Sequence, residues 1–199
     1  MTSFPYGVSN GERREFDFYP TPVPFIRDFS PIYESDIAPL FNHRLLDVGA
    51  GDGRWVNLYN NYSNFTYDCL DIQDWRVNAK SSEWSGKIRE YYVADFLEFQ
   101  TSVKYDGVVG NPPFNVFEKL WVKSLTVLKE QESSFILWLL PLTYLGGQWR
   151  KKMCAPHLER VYVYSKRIDF TGQNNPKSNI AMFLYRPFIT FDSSELVIL

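Results

Sequence analysis

Asn111-Pro112-Pro113-Phe114 brings together an amide oxygen, a proline-stiffened backbone carbonyl and a flat apolar ring. Two fixed acceptors of this kind suit a planar –NH2 group that must be held while its nitrogen attacks an electrophile. Phe114 offers a face to the ring carrying that amine. The tetrapeptide follows Tyr105-Asp106-Gly107-Val108-Val109-Gly110, which reads as a buried strand running out into a turn. A plain turn after a strand also accounts for an Asn-Pro pair, so its meaning depends on what lies about sixty residues upstream.

There, Asp47-Val48-Gly49-Ala50-Gly51-Asp52-Gly53 spells acid-x-Gly-x-Gly-x-Gly. Glycines let a backbone turn sharply and approach a ligand without a Cβ in the way. A nicotinamide-dependent enzyme can also own such a turn, but here an acid precedes the first glycine. A carboxylate at that point suits a cationic amino-acid group or its water shell and not a pyrophosphate. Asp71 ends the next strand, 18 residues after Gly53, where it can accept both hydroxyls of a ribose. Asp74 competes for that role but lies past the strand end. Asp95 follows the third strand and is placed to accept from an adenine amino group, with Phe96 beside it to stack on the ring. Singly, each acid reads as a strand-end cap; three at successive strand ends point to one ligand. Ribose, adenine and an amino-acid tail without phosphate describe S-adenosylmethionine.

The elements that must position these residues alternate. Strands are expected at Leu45–Val48, Thr66–Ile72, Tyr91–Ala94, 105–110, Ser134–Leu140, Val161–Tyr164 and Ile180–Tyr185. Helices are expected from Arg54, from Trp75, over 115–130 and, rich in basic residues, after Gly146-Gly147. Strands interleaved with helices predict an α/β fold: a doubly wound, Rossmann-like, seven-stranded and mostly parallel sheet, with helices on both faces and a terminal antiparallel hairpin. Ligands of such sheets bind outside the carboxyl ends of the strands, at the point where strand order reverses. Every motif above falls at such an end.

At 199 residues the chain fits one domain, 1–199, with a full-sized core, and residues 1–17 read as a loose polar start. No apolar run approaches the roughly 20 residues that span a bilayer, and the start has no signal-peptide pattern. Cys69 and Cys154 lack metal-ligand spacing, so no metal and a reduced, cytoplasmic setting are expected. Six Trp, thirteen Tyr and sixteen Phe supply core rings and a handful of stacking platforms. Net charge is −2, yet residues 150–186 hold eight basic side chains against Glu159 and Asp169. Such a block is either a solvated face or a surface for a polyanion.

With these residues in view, the chain resembles the small phage-type adenine-N6 DNA methyltransferases, over nearly its whole length. Asp47 to Gly53 resembles their cofactor loop, Asp71 and Asp95 their ribose and adenine contacts, and Asn111-Pro112-Pro113-Phe114 their catalytic tetrapeptide. Phe18-Tyr19-Pro20-Thr21-Pro22 is similar to the N-terminal motif that packs over the methionine part of the cofactor, which implies cofactor contacts at Tyr19, Pro20 and Thr21. Ser165 to Gly172 resembles the hairpin loop around the flipped base. The resemblance implies a class I methyltransferase fold and S-adenosylmethionine as cofactor. It also implies transfer to adenine N6 in DNA, in the cytoplasm of a bacterial or phage-infected cell.

Residues 145–180 are the candidate recognition region, with Phe114, Lys151, Lys152, Lys166, Arg167 and Phe170 as candidate substrate contacts. Sequence-specific members usually carry a recognition insert, but here only about 50 residues separate the fourth strand from the final hairpin. Specificity then rests on 145–180, or a second subunit helps, leaving a homodimer open. Adenine-N6 or guanine-N2 methylation of RNA, methylation of a protein glutamine, and a silent cofactor- or nucleic-acid-binding module remain as alternatives.

Overall fold

Phe135-Ile136-Leu137-Trp138-Leu139-Leu140 is apolar at every position, as a strand covered on both faces requires. In the computed structural model, which describes residues 20–37, 43–58, 65–77, 88–168 and 179–199, it forms β5 (Phe135–Pro141), buried throughout. Around it lie β1 (His43–Val48), β2 (Phe65–Asp71), β3 (Ile88–Val93) and β4 (Gly107–Gly110). The chain ends with β6 (Leu158–Val163), β7 (Ile180–Tyr185) and β8 (Glu195–Ile198). They form one sheet in the order β3-β2-β1-β4-β5-β7-β6-β8. Only β7 runs antiparallel to its neighbours, completing the expected hairpin with β6.

Among the described residues the sheet has eight strands, one more than the sequence pattern predicts. Glu195–Ile198 adds to β6 in parallel, with Arg160 opposite Glu195 and Val163 opposite Ile198. The strand is short and largely exposed, so it carries no buried alternation to announce it.

Helices cover both faces. On one, α1 (Val23–Ile32) and α2 (Arg54–Leu58) pack over Leu45, Tyr67, Leu137 and Met182. The stripe Phe25, Ile26 and Phe29 docks α1, each side chain contributing about 1.5–3 kcal/mol by leaving water. On the other face, α3 (Phe117–Val127) buries Phe117, Leu120, Trp121 and Val127 against Val108, Trp138 and Phe183. The basic α4 (Gln148–Met153) follows Gly146-Gly147 as expected. The helix expected from Trp75 begins as a single tight turn, Trp75–Val77, and its continuation lies outside the described residues.

Between β3 and β4 no helix forms. A crossover with one turn at 96–98 spans the sheet instead, plugging the α3 face with Phe96 and Phe99. Lys123 of α3 ties it down by donating to the Phe99 carbonyl.

The chain thus winds β1, β2, β3 to one side, then returns to place β4 and β5 on the other side of β1. The reversal between β1 and β4 is the crevice where such sheets hold ligands.

Candidate active site

Both loops that carry the chemistry leave the sheet at this reversal. After β1 the chain turns through Gly49 (φ 73°), Gly51 (φ 53°) and Gly53 (φ 77°), all in the left-handed region that favours glycine. The Gly49 and Ala50 N–H groups both donate to the Leu70 carbonyl, at 2.9 and 3.1 Å, drawing the loop over the end of β2. After β4, Gly110 (φ 136°) turns into Asn111. A Cβ on Gly110 would stand 2.6 Å from the Val48 carbonyl oxygen, and one on Gly49 would stand 3.7 Å from that of Asn111. The two loops therefore run side by side here, with no room for a side chain at Gly110.

Asp47 lies beneath them, fully buried, and neither carboxylate oxygen has a hydrogen-bond partner among the described residues. Burial, then Asp71 and Asp52, push its carboxyl well above the usual carboxylate range. An unpartnered buried carboxyl is costly and awaits a donor or a cation.

Asp71 has acquired work that its position alone does not announce. Its Oδ2 accepts from the Gly51 N–H at 2.9 Å, and its Oδ1 from the Gln73 N–H and the Trp75 indole N–H, each at 3.0 Å. It pins the glycine loop to β2. A carboxylate offers about four lone-pair sites, so a ribose diol would have to share this group with Trp75 or displace the indole. Asp74, the competitor, is held by the Arg76 guanidinium at 2.7 Å. Ile72, between the two acids, is 54% exposed and offers an apolar face beside Asp71.

Asp95 is exposed, with Oδ1 accepting from the Leu97 N–H at 2.9 Å. Phe96 is 3% exposed and sits in the core cluster with Phe99 and Phe117, so its ring is not presented for stacking. Pro20-Thr21-Pro22 leads into α1, and the Thr21 carbonyl accepts from Arg54 of α2 at 3.1 Å. Asp52 holds the same guanidinium at 2.7 Å, which joins this segment to the glycine loop. Tyr19 and Phe170 lie outside the described residues, as do Asp169 to Gly172 of the hairpin loop.

Asn111 is half-buried, Pro112 buried, Pro113 exposed, and Phe114 half-buried at the start of a tight turn leading into α3. Tyr144, absent from the sequence-based candidates, completes this corner. It follows β5 in the Leu142–Leu145 turn. Its hydroxyl donates to the Phe114 carbonyl at 2.5 Å, and its ring lies 6.1 Å from that of Phe114 and 5.1 Å from that of Phe117. The Arg150 guanidinium lies 4.6 Å from the Tyr144 ring centroid. The signal available in sequence was only an aromatic residue shortly after a buried strand, which a protein with thirteen tyrosines does not single out.

The basic block divides in two. Arg160 pairs with Asp36 and Glu195, and Arg186 with Glu159, so both serve the scaffold. Lys166 is 74% exposed and only loosely paired with Asp28 at 3.4 Å. Lys151, Lys152 and Arg167 are exposed. α4 follows β5, and Lys166 and Arg167 follow β6; both strands end at the same edge of the sheet as Asn111. Among the described residues no group of His, Cys, Asp or Glu side chains could hold a metal, and no helix is long and apolar enough to cross a membrane.

Neither a protein-family model nor a curated protein matches the sequence. Solved structures do match the fold. A candidate class I S-adenosylmethionine-dependent methyltransferase from Listeria monocytogenes superposes with a TM-score of 0.67 at 12% identity, over 96% of this chain and 68% of its own. A candidate RNA methyltransferase from Pyrococcus horikoshii gives 0.65 at 15% identity, over 86% and 87%. The methyltransferase subunit of a type I restriction-modification system from Streptococcus thermophilus gives 0.61 at 16% identity, over 84% of this chain but only 44% of that one. This chain thus spans less than half the length of the restriction-modification subunit. The sheet order, the hairpin and these superpositions define a class I methyltransferase fold.

Proposed function

We propose that this chain transfers a methyl group from S-adenosylmethionine to the exocyclic N6 amine of adenine in DNA, through one domain. The observation that carries this reading is the close approach of the two loops at the sheet reversal, where a Cβ on Gly110 would stand 2.6 Å from the Val48 carbonyl oxygen. A cofactor-type loop and an amine-holding tetrapeptide this near each other suit the two walls of one crevice.

The residues fit the cofactor. The unpartnered Asp47 carboxyl suits a cationic amino-acid tail, directly or through water. The glycine loop leaves room for close approach, and Asp71 and Ile72 suit a ribose and the ring beyond it. Asp95 is exposed at the next strand end, where it can accept from an adenine amino group. When bound, S-adenosylmethionine supplies an electrophilic methyl on a sulfonium.

The chain's own contribution is positioning. The target base leaves its stack and lies on Phe114, while its amine donates to the Asn111 side chain and the Pro112 carbonyl. Those two bonds draw the nitrogen lone pair out of the ring and aim it into the crevice. Such orientation supplies roughly 7–11 kcal/mol. Flipping costs a few kcal/mol, least for unpaired bases, and the aromatic face offsets it. The attacking amine is neutral and becomes acidic only after transfer, so no strong base is required.

Fold similarity to a restriction-modification methyltransferase subunit and to a candidate RNA methyltransferase supports a nucleic-acid substrate. RNA is the second reading, favoured by the mutual coverage with the Pyrococcus protein, which has no large extra domain relative to this chain. The test is methyl transfer from labelled S-adenosylmethionine to duplex DNA, single-stranded DNA and total RNA in parallel, with nucleoside mass spectrometry of the product. N6-methyldeoxyadenosine supports the first reading; N6-methyladenosine or N2-methylguanosine confined to RNA replaces it with the second. Label in none of them, with cofactor bound, rejects both.

A further inference from the structure

Among the described basic side chains of the 150–186 block, Arg150 is held in place without an ion pair. Its Nε donates to the Gly146 carbonyl at 2.6 Å, and its guanidinium lies over the Tyr144 ring at 4.6 Å. Gly147 makes room: at φ 102° a Cβ there would stand 2.6 Å from Arg150 Nη2. Among the described residues no carboxylate lies within ion-pair distance of it, in contrast to Arg160 and Arg186. Tyr144 in turn is bonded to the Phe114 carbonyl, so the cation stands one ring away from the aromatic face of the tetrapeptide.

An arginine free on a surface loses rotamer entropy when a ligand fixes it; here that ordering precedes the ligand. Its two terminal nitrogens form a planar fork that matches the oxygens of a phosphodiester. We infer that Arg150 is a phosphodiester clamp that grips the backbone next to the nucleotide lying on Phe114. This rests on the nucleic-acid reading above and deepens it: the clamp anchors strand position by charge, independently of base identity, while Lys151 and Lys152 add diffuse attraction.

The experiment measures binding of a short single-stranded oligonucleotide carrying one adenine, at several salt concentrations. It compares wild type, Arg150→Gln, Arg150→Lys and Gly147→Ala, with a matching series in which single phosphates flanking the adenine are replaced by neutral methylphosphonates. Arg150→Gln should weaken binding about tenfold and lower the salt slope by about one unit, with S-adenosylhomocysteine affinity and melting temperature unchanged. Arg150→Lys should recover the slope but not the full affinity. Gly147→Ala keeps the cation but crowds the guanidinium, so like Arg150→Lys it should retain the slope and lose affinity. One methylphosphonate should weaken wild type as much as Arg150→Gln does, and should cost that variant nothing more. Equal losses in wild type and Arg150→Gln at every phosphate, or an unchanged salt slope, overturn the clamp while leaving the methyltransferase reading intact. Failure of wild type to bind or methylate any nucleic acid overturns both.

Discussion

The Tyr144 hydroxyl reaches across from the end of β5 and donates to the carbonyl oxygen of Phe114 at 2.5 Å, while the two rings lie 6.1 Å apart and tilted by 54°. The turn after the catalytic-type tetrapeptide is thereby fastened to the neighbouring strand. A neutral hydrogen bond of this kind is worth about 0.5–1.5 kcal/mol net.

Tyr144→Phe keeps the ring and removes the bond. Transfer rate should fall roughly three- to tenfold, as a misplaced Phe114 face loses orientation, with cofactor affinity unchanged. Single-turnover kinetics alongside calorimetric titration with S-adenosylhomocysteine measures both; an unchanged rate would return Tyr144 to plain packing.

Asp47 predicts an inverse relation between stability and affinity. Its folded-state pKa is raised by burial and by neighbouring Asp71 and Asp52, so the folded protein holds a proton that the unfolded chain has released. That contribution to stability is fully present below the ordinary carboxylate range and is lost as pH rises through the raised folded value. Asp47→Asn should therefore melt higher than wild type at neutral pH without ligand, by about 2–4 °C for each kcal/mol gained, and should lose the fall in stability that sets in above the ordinary carboxylate range. It should also bind S-adenosylhomocysteine more weakly. In wild type, a cationic amino-acid tail would expel the proton, so affinity should rise with pH. Calorimetry in buffers of different ionisation enthalpy reads that release; none, with Asp47→Asn binding as wild type, would remove Asp47 from the site.

Asp71→Asn tests the pin between β2 and the glycine loop. The Gly51, Gln73 and Trp75 donors lose a charged acceptor, each such bond being worth about 1.5–3 kcal/mol. We expect a fall in stability together with at least a tenfold loss of cofactor affinity. Loss of stability alone would make Asp71 a purely structural brace.

Much of this arrangement was legible because its residues are local. The acid and glycines from Asp47 to Gly53 occupy one turn, and Asn111 to Phe114 directly follow a strand whose apolar residues declare it. What stayed hidden depends on distant partners. Nothing near Asp71 in sequence says that Gly51 will donate to it. Arg160 looks available until Asp36, 124 residues away, and Glu195, 35 away, meet it in space. Phe96 reads as a ligand platform beside Asp95 until distant residues such as Phe117 join it in the core. β8 is largely exposed and pairs only with β6, so no buried alternation marks it.

Gly110→Ala probes the crevice wall itself. The added Cβ would meet the Val48 carbonyl oxygen at 2.6 Å and Asp47 Oδ1 at 3.0 Å, in a backbone conformation with φ 136°. Destabilisation above about 2 kcal/mol is expected from strain of this kind, lowering the melting temperature by roughly 4–8 °C. A melting temperature within a degree of wild type would mean that β1 and β4 separate at no cost.

Asn111→Ala provides the most direct test of the central claim, that one crevice joins a cofactor loop to an amine-holding tetrapeptide. S-adenosylhomocysteine affinity and methyl transfer to adenine-containing DNA should be measured on the same preparation of wild type and variant. Wild type should yield N6-methyldeoxyadenosine, and Asn111→Ala about a hundred- to a thousandfold less, in the range that loss of a transition-state donor or acceptor produces, with cofactor affinity within about threefold. A variant that methylates at the wild-type rate, or a wild-type protein that binds cofactor and leaves every nucleic-acid amine unmethylated, would contradict it.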